Sequence, residues 1–180
     1  MIESKRLATM RWLTEYLARE ITPLNGYQFD LSAHPRSVVR GVMFRDRTDP
    51  LPQVSILEDL DPERYPRRAG VSSAAHGVDK DEWVLLVQGW VEDDKDFPTD
   101  AAYLLMADVQ KAIAKLSKGM DPVTFAPASP DYRMGGLVAD IKVETGVVRP
   151  AMENVTDKAL FWCRVVLGFV EDKQDPYNLS

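Results

Sequence analysis

The chain reads as an α+β protein, a two-layer sandwich. It has a mainly antiparallel sheet of about five strands, two amphipathic helices on one face, and long loops. Two stretches of helical periodicity and a pair of strands that echo one another predict this. Leu7, Met10, Leu13, Leu17, Ile21 and Leu24 recur at three- and four-residue steps, as do Ala102, Leu105, Met106, Val109, Ala112, Ile113 and Leu116, which stacks each set on one side of a helix. Trp83-Val84-Leu85-Leu86-Val87-Gln88-Gly89-Trp90-Val91-Glu92-Asp93 is matched by Trp162-Cys163-Arg164-Val165-Val166-Leu167-Gly168-Phe169-Val170-Glu171-Asp172. Each has the alternation of a strand, then an acidic exit.

The first helix has Ser4 as its N-cap, and Pro23 with Asn25-Gly26 marks its end. Trp12 and Tyr16 flank its stripe as extra core area. The β-branched run from Val38 to Phe44 predicts a strand, which Asp49-Pro50-Leu51-Pro52 breaks. Gln53 to Glu58 predicts a second strand, close enough to the first for a hairpin. Residues 60–82 form a long loop without periodicity, and Glu82 to Val91 is the third strand. Thr99 caps the second helix, whose acidic start and basic end suit the helix dipole, and Gly119 supplies its left-handed C-terminal position.

A Pro-rich connection over 119–134 leads to Gly135-Gly136, read as the opening of a fourth strand from Leu137 to Glu144. A fifth strand runs from Leu160 to Val170, and a polar tail covers 171–180. Parity along the echoed strands places Trp90 and Phe169 on the face opposite Trp83 and Trp162. Helices cover one face; the other is expected to be free to meet another subunit. The whole of 1–180 is read as one domain.

Composition excludes several classes of function. Net charge is −6 and the pI is about 5.0, which argues against binding nucleic acid through a basic surface. The single cysteine, Cys163, excludes an internal disulfide and sits in an apolar strand, where a buried free thiol is expected. No apolar run reaches the ~20 residues of a membrane helix, and residues 1–6 lack a signal-peptide apolar region. A reducing cytoplasm, or a particle assembled in it, is the expected setting.

No catalytic constellation emerges. Glu92, Asp93, Asp94 and Asp96, like Glu171, Asp172 and Asp175, lack the spacing and closing Glu of an EF-hand. His34 and His76, both beside turn residues, make no zinc set with one cysteine. Neither a Gly-x-Ser-x-Gly elbow nor a phosphate loop is present. The expectation is therefore no enzyme, no cofactor and no metal site. The one candidate partner-binding cluster is Arg64, Tyr65, Arg67 and Arg68, positive charge on a Pro-punctuated segment of an acidic chain, which reads either as a solvated loop or as an arm that docks an acidic partner surface or a phosphate backbone. Arg forks grip carboxylates where a partner excludes water.

These residues also suggest a family. The run of N-terminal helix, Val38-Val39-Arg40-Gly41, Leu51-Pro52-Gln53-Val54-Ser55-Ile56-Leu57-Glu58 and Trp83 to Glu92, followed by Pro98-Thr99-Asp100-Ala101-Ala102-Tyr103 and a last strand rich in Val and Phe, resembles the tail terminator proteins of tailed bacteriophages. These are also described as tail completion or minor tail proteins. The match covers residues 1–60 and 82–171, is one of pattern, and is carried most by Val87-Gln88-Gly89-Trp90-Val91-Glu92-Asp93-Asp94 leading into the second helix.

The resemblance implies a structural virion protein that forms a ring, a hexamer, at the tail/neck junction. Such a ring ends the tail tube and joins it to the head connector, and genomic DNA passes its lumen without specific binding. The expected partners are further copies of the chain, a tail protein and the neck; the expected place is the virion, with no membrane. The rivals are a transient assembly factor not retained in the particle, and a small hydrolase with its site in the long loops.

Overall fold

The computed structural model describes residues 3–59, 78–118, 127, 129–152, 157–172 and 175–177. Helix α1 spans Lys5–Glu20, and Ser4 caps it, its hydroxyl accepting from Leu7 N. The strands are β1 Val38–Arg40, β2 Gln53–Glu58, β3 Val78–Val91, β4 Asp140–Val143, β5 Val147–Arg149 and β6 Ala159–Asp172; α2 spans Asp100–Ser117. They form one six-stranded sheet in the order β1-β2-β3-β6-β4, with β5 also paired to β6. All pairs are antiparallel except β1 with β2. The α+β class is as the sequence predicts.

Both helices lie on one face. Leu105, Val109, Ala112 and Ile113 of α2 pack fully buried with Leu13, Tyr16 and Leu17 of α1, above Ile56, Leu85, Val87, Phe161, Val165 and Leu167 of the sheet. The Tyr16 hydroxyl donates to Ala112 O at 3.0 Å, joining the helices. Buried Asp108 accepts from the backbone amides of Gln28 and Phe29 at 2.8 and 3.0 Å, which holds the segment after α1 against α2. At the centre of the sheet an ideal Cβ on Gly89 would fall 2.4 Å from Cε1 of Phe161, so glycine is what admits that ring beneath the strand.

Several expectations are corrected. Of the α1 stripe, Leu13, Leu17 and Ile21 are fully buried and Met10 packs against them, but its two ends are not; Lys5, Ala8, Thr9 and Tyr16 complete the buried side. Leu7 is exposed, and Leu24 is 98% exposed because α1 stops at Glu20 and Leu24 sits in the turn beyond. β1 and β2 are parallel rather than a hairpin. At Gly41 (φ +69) the chain turns out of β1 in a conformation that glycine takes without strain, and returns to β2 through residues 42–52. Leu51-Pro52 is a cis peptide bond.

Residues Gly135-Gly136 do not open a strand. They belong to a left-handed turn that begins at Arg133 (φ 51) and Met134 (φ 56), and β4 starts later, at Asp140. β5 is a strand beyond those the sequence predicts. β3 begins four residues earlier than the expected Glu82, and β6 runs on through Glu171 and Asp172, which the sequence reading gave to an exit and tail. Thr99 occupies the N-cap position of α2 without a side-chain hydrogen bond. Gly119 lies outside the described residues.

The pairing of β3 with β6 reassigns the aromatic faces. Trp83 pairs with Leu167 and Gln88 with Trp162, so the echo does not map like residues onto like faces. Trp83 and Phe169 share the helical face, ring centroids 5.2 Å apart, while Trp90 and Trp162 lie on the other. The antiparallel register, not the repeat, decides which side chains are neighbours.

Candidate functional site

The face of the sheet away from the helices is built in cross-strand rows. Gln53, Trp90, Leu160 and Arg149 stand in one row, Ser55, Gln88, Trp162 and Val147 in the next, and Leu57, Leu86 and Arg164 in a third. Pleating puts every second residue on this side, and here that set mixes apolar, amide and charged side chains.

The chain covers part of this face itself, which corrects the expectation of a free surface. The Gln88 amide donates to Val42 O at 3.0 Å and Met43 O at 2.9 Å, and Ser55 Oγ donates to Val42 O at 2.6 Å. The loop after β1 is thereby pinned over β2 and β3. Within it, Arg45 turns inward: its guanidinium donates to Asp49 O at 2.7 Å and Arg47 O at 3.2 Å, with Asp157 3.6 Å away. Asp49 is buried and bridged by Arg36 at 2.6 Å. Burial pushes its carboxyl up, but hydrogen bonds from Arg36, the Asp46 amide and Gln53 outweigh this and hold it below the ordinary carboxylate value.

Further along, Arg164 of β6 pairs with Asp59 just beyond β2. Leu86, Leu160, Trp162, Val166 and Val170 remain half-buried, and the Arg149 guanidinium lies 5.9 Å from the Trp162 ring centroid. Met43 and Phe44 are exposed on the covering loop.

A concavity of about 590 Å³ opens at the start of α1 beside the left-handed turn. Lys5, Tyr132, Arg133, Leu137, Val138 and Val170 are among its lining residues.

Four of the other residues singled out in the sequence have defined surroundings. Cys163 is buried and free, and burial pushes its thiol up to about 12, far from a reactive thiolate. His34 Nδ1 accepts from Arg36 N at 3.0 Å, fixing a turn. Asp94 accepts from the amides of Asp96 and Phe97, and Glu171 pairs with Arg6 at 3.1 Å. Among the described residues no group of three or more His, Cys, Asp or Glu is placed to hold a metal ion. Arg64, Tyr65, Arg67, Arg68 and His76 lie outside the described residues.

Sequence reasoning missed the loop over the second face, because Val42 and Phe44 fit the alternation of a longer β1. The signal available was Gly41, followed by the Asp49-Pro50-Leu51-Pro52 break. No protein-family model matches the chain, and a search of curated proteins returns no match. Among the described residues no helix is long and apolar enough to cross a membrane.

Proposed function

We propose that the protein is a structural subunit that assembles with copies of itself into a ring, a hexamer, at the tail/neck junction of a tailed bacteriophage. The ring ends the tail tube and joins it to the head connector. What supports the reading is the block whose pattern resembles tail terminators. Residues 83–91 are a central strand, 92–99 an acidic connection, and Asp100 begins the helix that packs back on the sheet. The half-buried row of Leu160, Trp162, Val166 and Val170 beyond the covering loop suits a surface that is completed by a neighbour. The role is architectural, without a catalytic step, and a closed ring satisfies a head-to-tail interface without growing a filament.

Mass spectrometry of purified particles tests the proposal. A fixed, few-copy stoichiometry is expected, with ring density at the neck in a particle reconstruction. Absence from finished particles, with normal abundance in infected cells, would turn the reading to a transient assembly factor.

A further inference from the structure

The hollow at the start of α1 combines charge and apolar surface in a way that the assembly role leaves unused. Its volume of about 590 Å³ falls in the ~300–1,000 Å³ range of small-ligand sites. Leu137, Val138 and Val170 give it apolar walls, Tyr132 a phenol, and Lys5 and Arg133 positive charge. No carboxylate is among the described residues that line it. Of the acids beside these residues in sequence, Glu3, Asp131 and Glu171 are engaged by Arg11, Arg19 and Arg6 at 3.0, 2.9 and 3.1 Å. Asp140 is exposed on β4 and pairs with neither cation.

The backbone holds Arg133 at this wall. Arg133 (φ 51), Met134 (φ 56), Gly135 (φ 67) and Gly136 (φ 93) are successive left-handed residues. Residues with side chains rarely take this conformation, and keep it only where their surroundings hold it. Here fully buried Met134 anchors the turn in the core, and Val138 N donates to Arg133 O at 3.3 Å to close it. The central carbon of the guanidinium lies over the Tyr132 ring, 4.9 Å from its centroid. Such stacking occupies the flat face of the guanidinium and leaves its N–H fork, in the plane, for an acceptor. Among the described residues no carboxylate or carbonyl takes that fork. Lys5, by contrast, is buried and already partnered, so Arg133 is the charge open to a ligand.

We infer that this hollow binds a small organic carboxylate, its apolar body against Leu137, Val138 and Val170 and its carboxylate on the Arg133 fork. A carboxylate matches the fork with two parallel hydrogen bonds. A neutral apolar molecule would cover the guanidinium without giving it a partner, which is costly for a charged group. An inorganic anion would meet the fork but leave the apolar walls in water, and would forgo the larger part of the available contact. The inference goes beyond the ring reading and does not depend on it, because the hollow is formed within one subunit.

The experiment titrates the full, nitrogen-15-labelled chain with four compounds and follows the backbone amides of Gly135, Gly136, Leu137 and Ala139 by two-dimensional NMR. Phenylacetate has both parts of the ligand. Phenylacetamide keeps the ring without the charge, acetate keeps the charge without the ring, and inorganic phosphate is a simple anion. Each is taken to about 20 mM, beyond the millimolar Kd expected of so small a ligand. The same titrations are run on Arg133→Gly. Glycine takes the left-handed conformation freely, so this variant loses the guanidinium and keeps the turn, which circular dichroism and the melting midpoint check.

Phenylacetate should give saturable shifts at these four amides, and the other three compounds should bind at least tenfold more weakly, as the loss of a charged hydrogen-bonded pair or of the apolar contact requires. Arg133→Gly should weaken phenylacetate at least tenfold and leave phenylacetamide unchanged. The inference is overturned if phenylacetate produces no saturable shift at these amides. Phenylacetamide binding as tightly would reduce the site to an apolar hollow, and acetate or phosphate binding as tightly would reduce it to an anion site; either overturns it. So does full phenylacetate affinity in Arg133→Gly. None of these results bears on the ring, which the particle analysis decides.

Discussion

Replacing Gly89 by Ala places a methyl group where the Phe161 ring already lies. The ideal Cβ falls 2.4, 2.9 and 3.2 Å from ring atoms Cε1, Cζ and Cδ1. Carbon atoms settle at about 3.5–4.0 Å. The nearest ring atom must therefore retreat by roughly 1.1 Å or more, the difference between about 3.5 Å and the 2.4 Å contact. Phe161 is fully buried, with Gly89 as its direct cross-strand partner, so the ring moves only by displacing other core side chains. Such overpacking costs about 1–3 kcal/mol. Lower entropy of the unfolded chain returns roughly 0.4–1 kcal/mol.

The net expectation is a destabilisation of about 1–2 kcal/mol, or a melting midpoint lower by roughly 2–8 °C for a chain of this size. Thermal and urea unfolding followed by circular dichroism measure it. Phe161→Leu in the Gly89→Ala background should recover part of the loss, while costing stability on its own. That sign of coupling belongs to residues in direct contact. A Gly89→Ala protein as stable as the original, or a double variant whose losses simply add, would refute the packing argument.

Leu105→Ala should cost about 2–5 kcal/mol, because the side chain is fully buried in the helix–sheet interface; an unchanged urea midpoint would contradict that placement. Cys163 should resist a thiol reagent at pH 8 in the native protein and react promptly in denaturant, since burial keeps it protonated; fast native labelling would show the strand to be open. Asp49 has a folded-state pKa below its unfolded value. The stability it contributes is thus present above the ordinary carboxylate value of about 3.9 and is lost as pH falls through the lower folded value. The gap in urea midpoint between the original and Asp49→Asn should therefore be wide at neutral pH and shrink toward pH 3. A gap that is constant with pH would mean that Asp49 does not titrate as argued.

The parts of this fold that could be read from sequence are those where one local pattern determines the outcome. β3, β6 and α2 each carry an unbroken alternation or a broad apolar stripe, and all three form. The α1 stripe holds in its middle, at Leu13, Leu17 and Ile21, and fails at its ends because aliphatic spacing alone ranked Leu7 and Leu24 above Tyr16. In the folded chain the larger aromatic turns inward and its hydroxyl finds Ala112 O. The faces of Trp83 and Trp162 were beyond local reading, since a repeat runs forward along the chain whereas antiparallel strands pair in reverse. The parallel β1–β2 pair depends on where the intervening loop travels, which hydrogen bonds from Gln88 and Ser55 decide. Phe44, Phe97 and Tyr103 are ordinary core candidates by type, and only the packed arrangement leaves them outside.

The position of β6 has a consequence for how the molecule is made. This last strand lies between β3 and the β4/β5 edge, paired with β3 along the full register from Val78–Asp172 to Val91–Ala159. Until it emerges during synthesis, β2 with β3, and β4 with β5, have no common partner, and α2 has only part of the floor it packs on. Contacts between residues so far apart in the chain also close slowly. The nascent chain therefore cannot complete its central sheet until β6 has been made. A chain interrupted before residue 159 has no β3–β6 ladder.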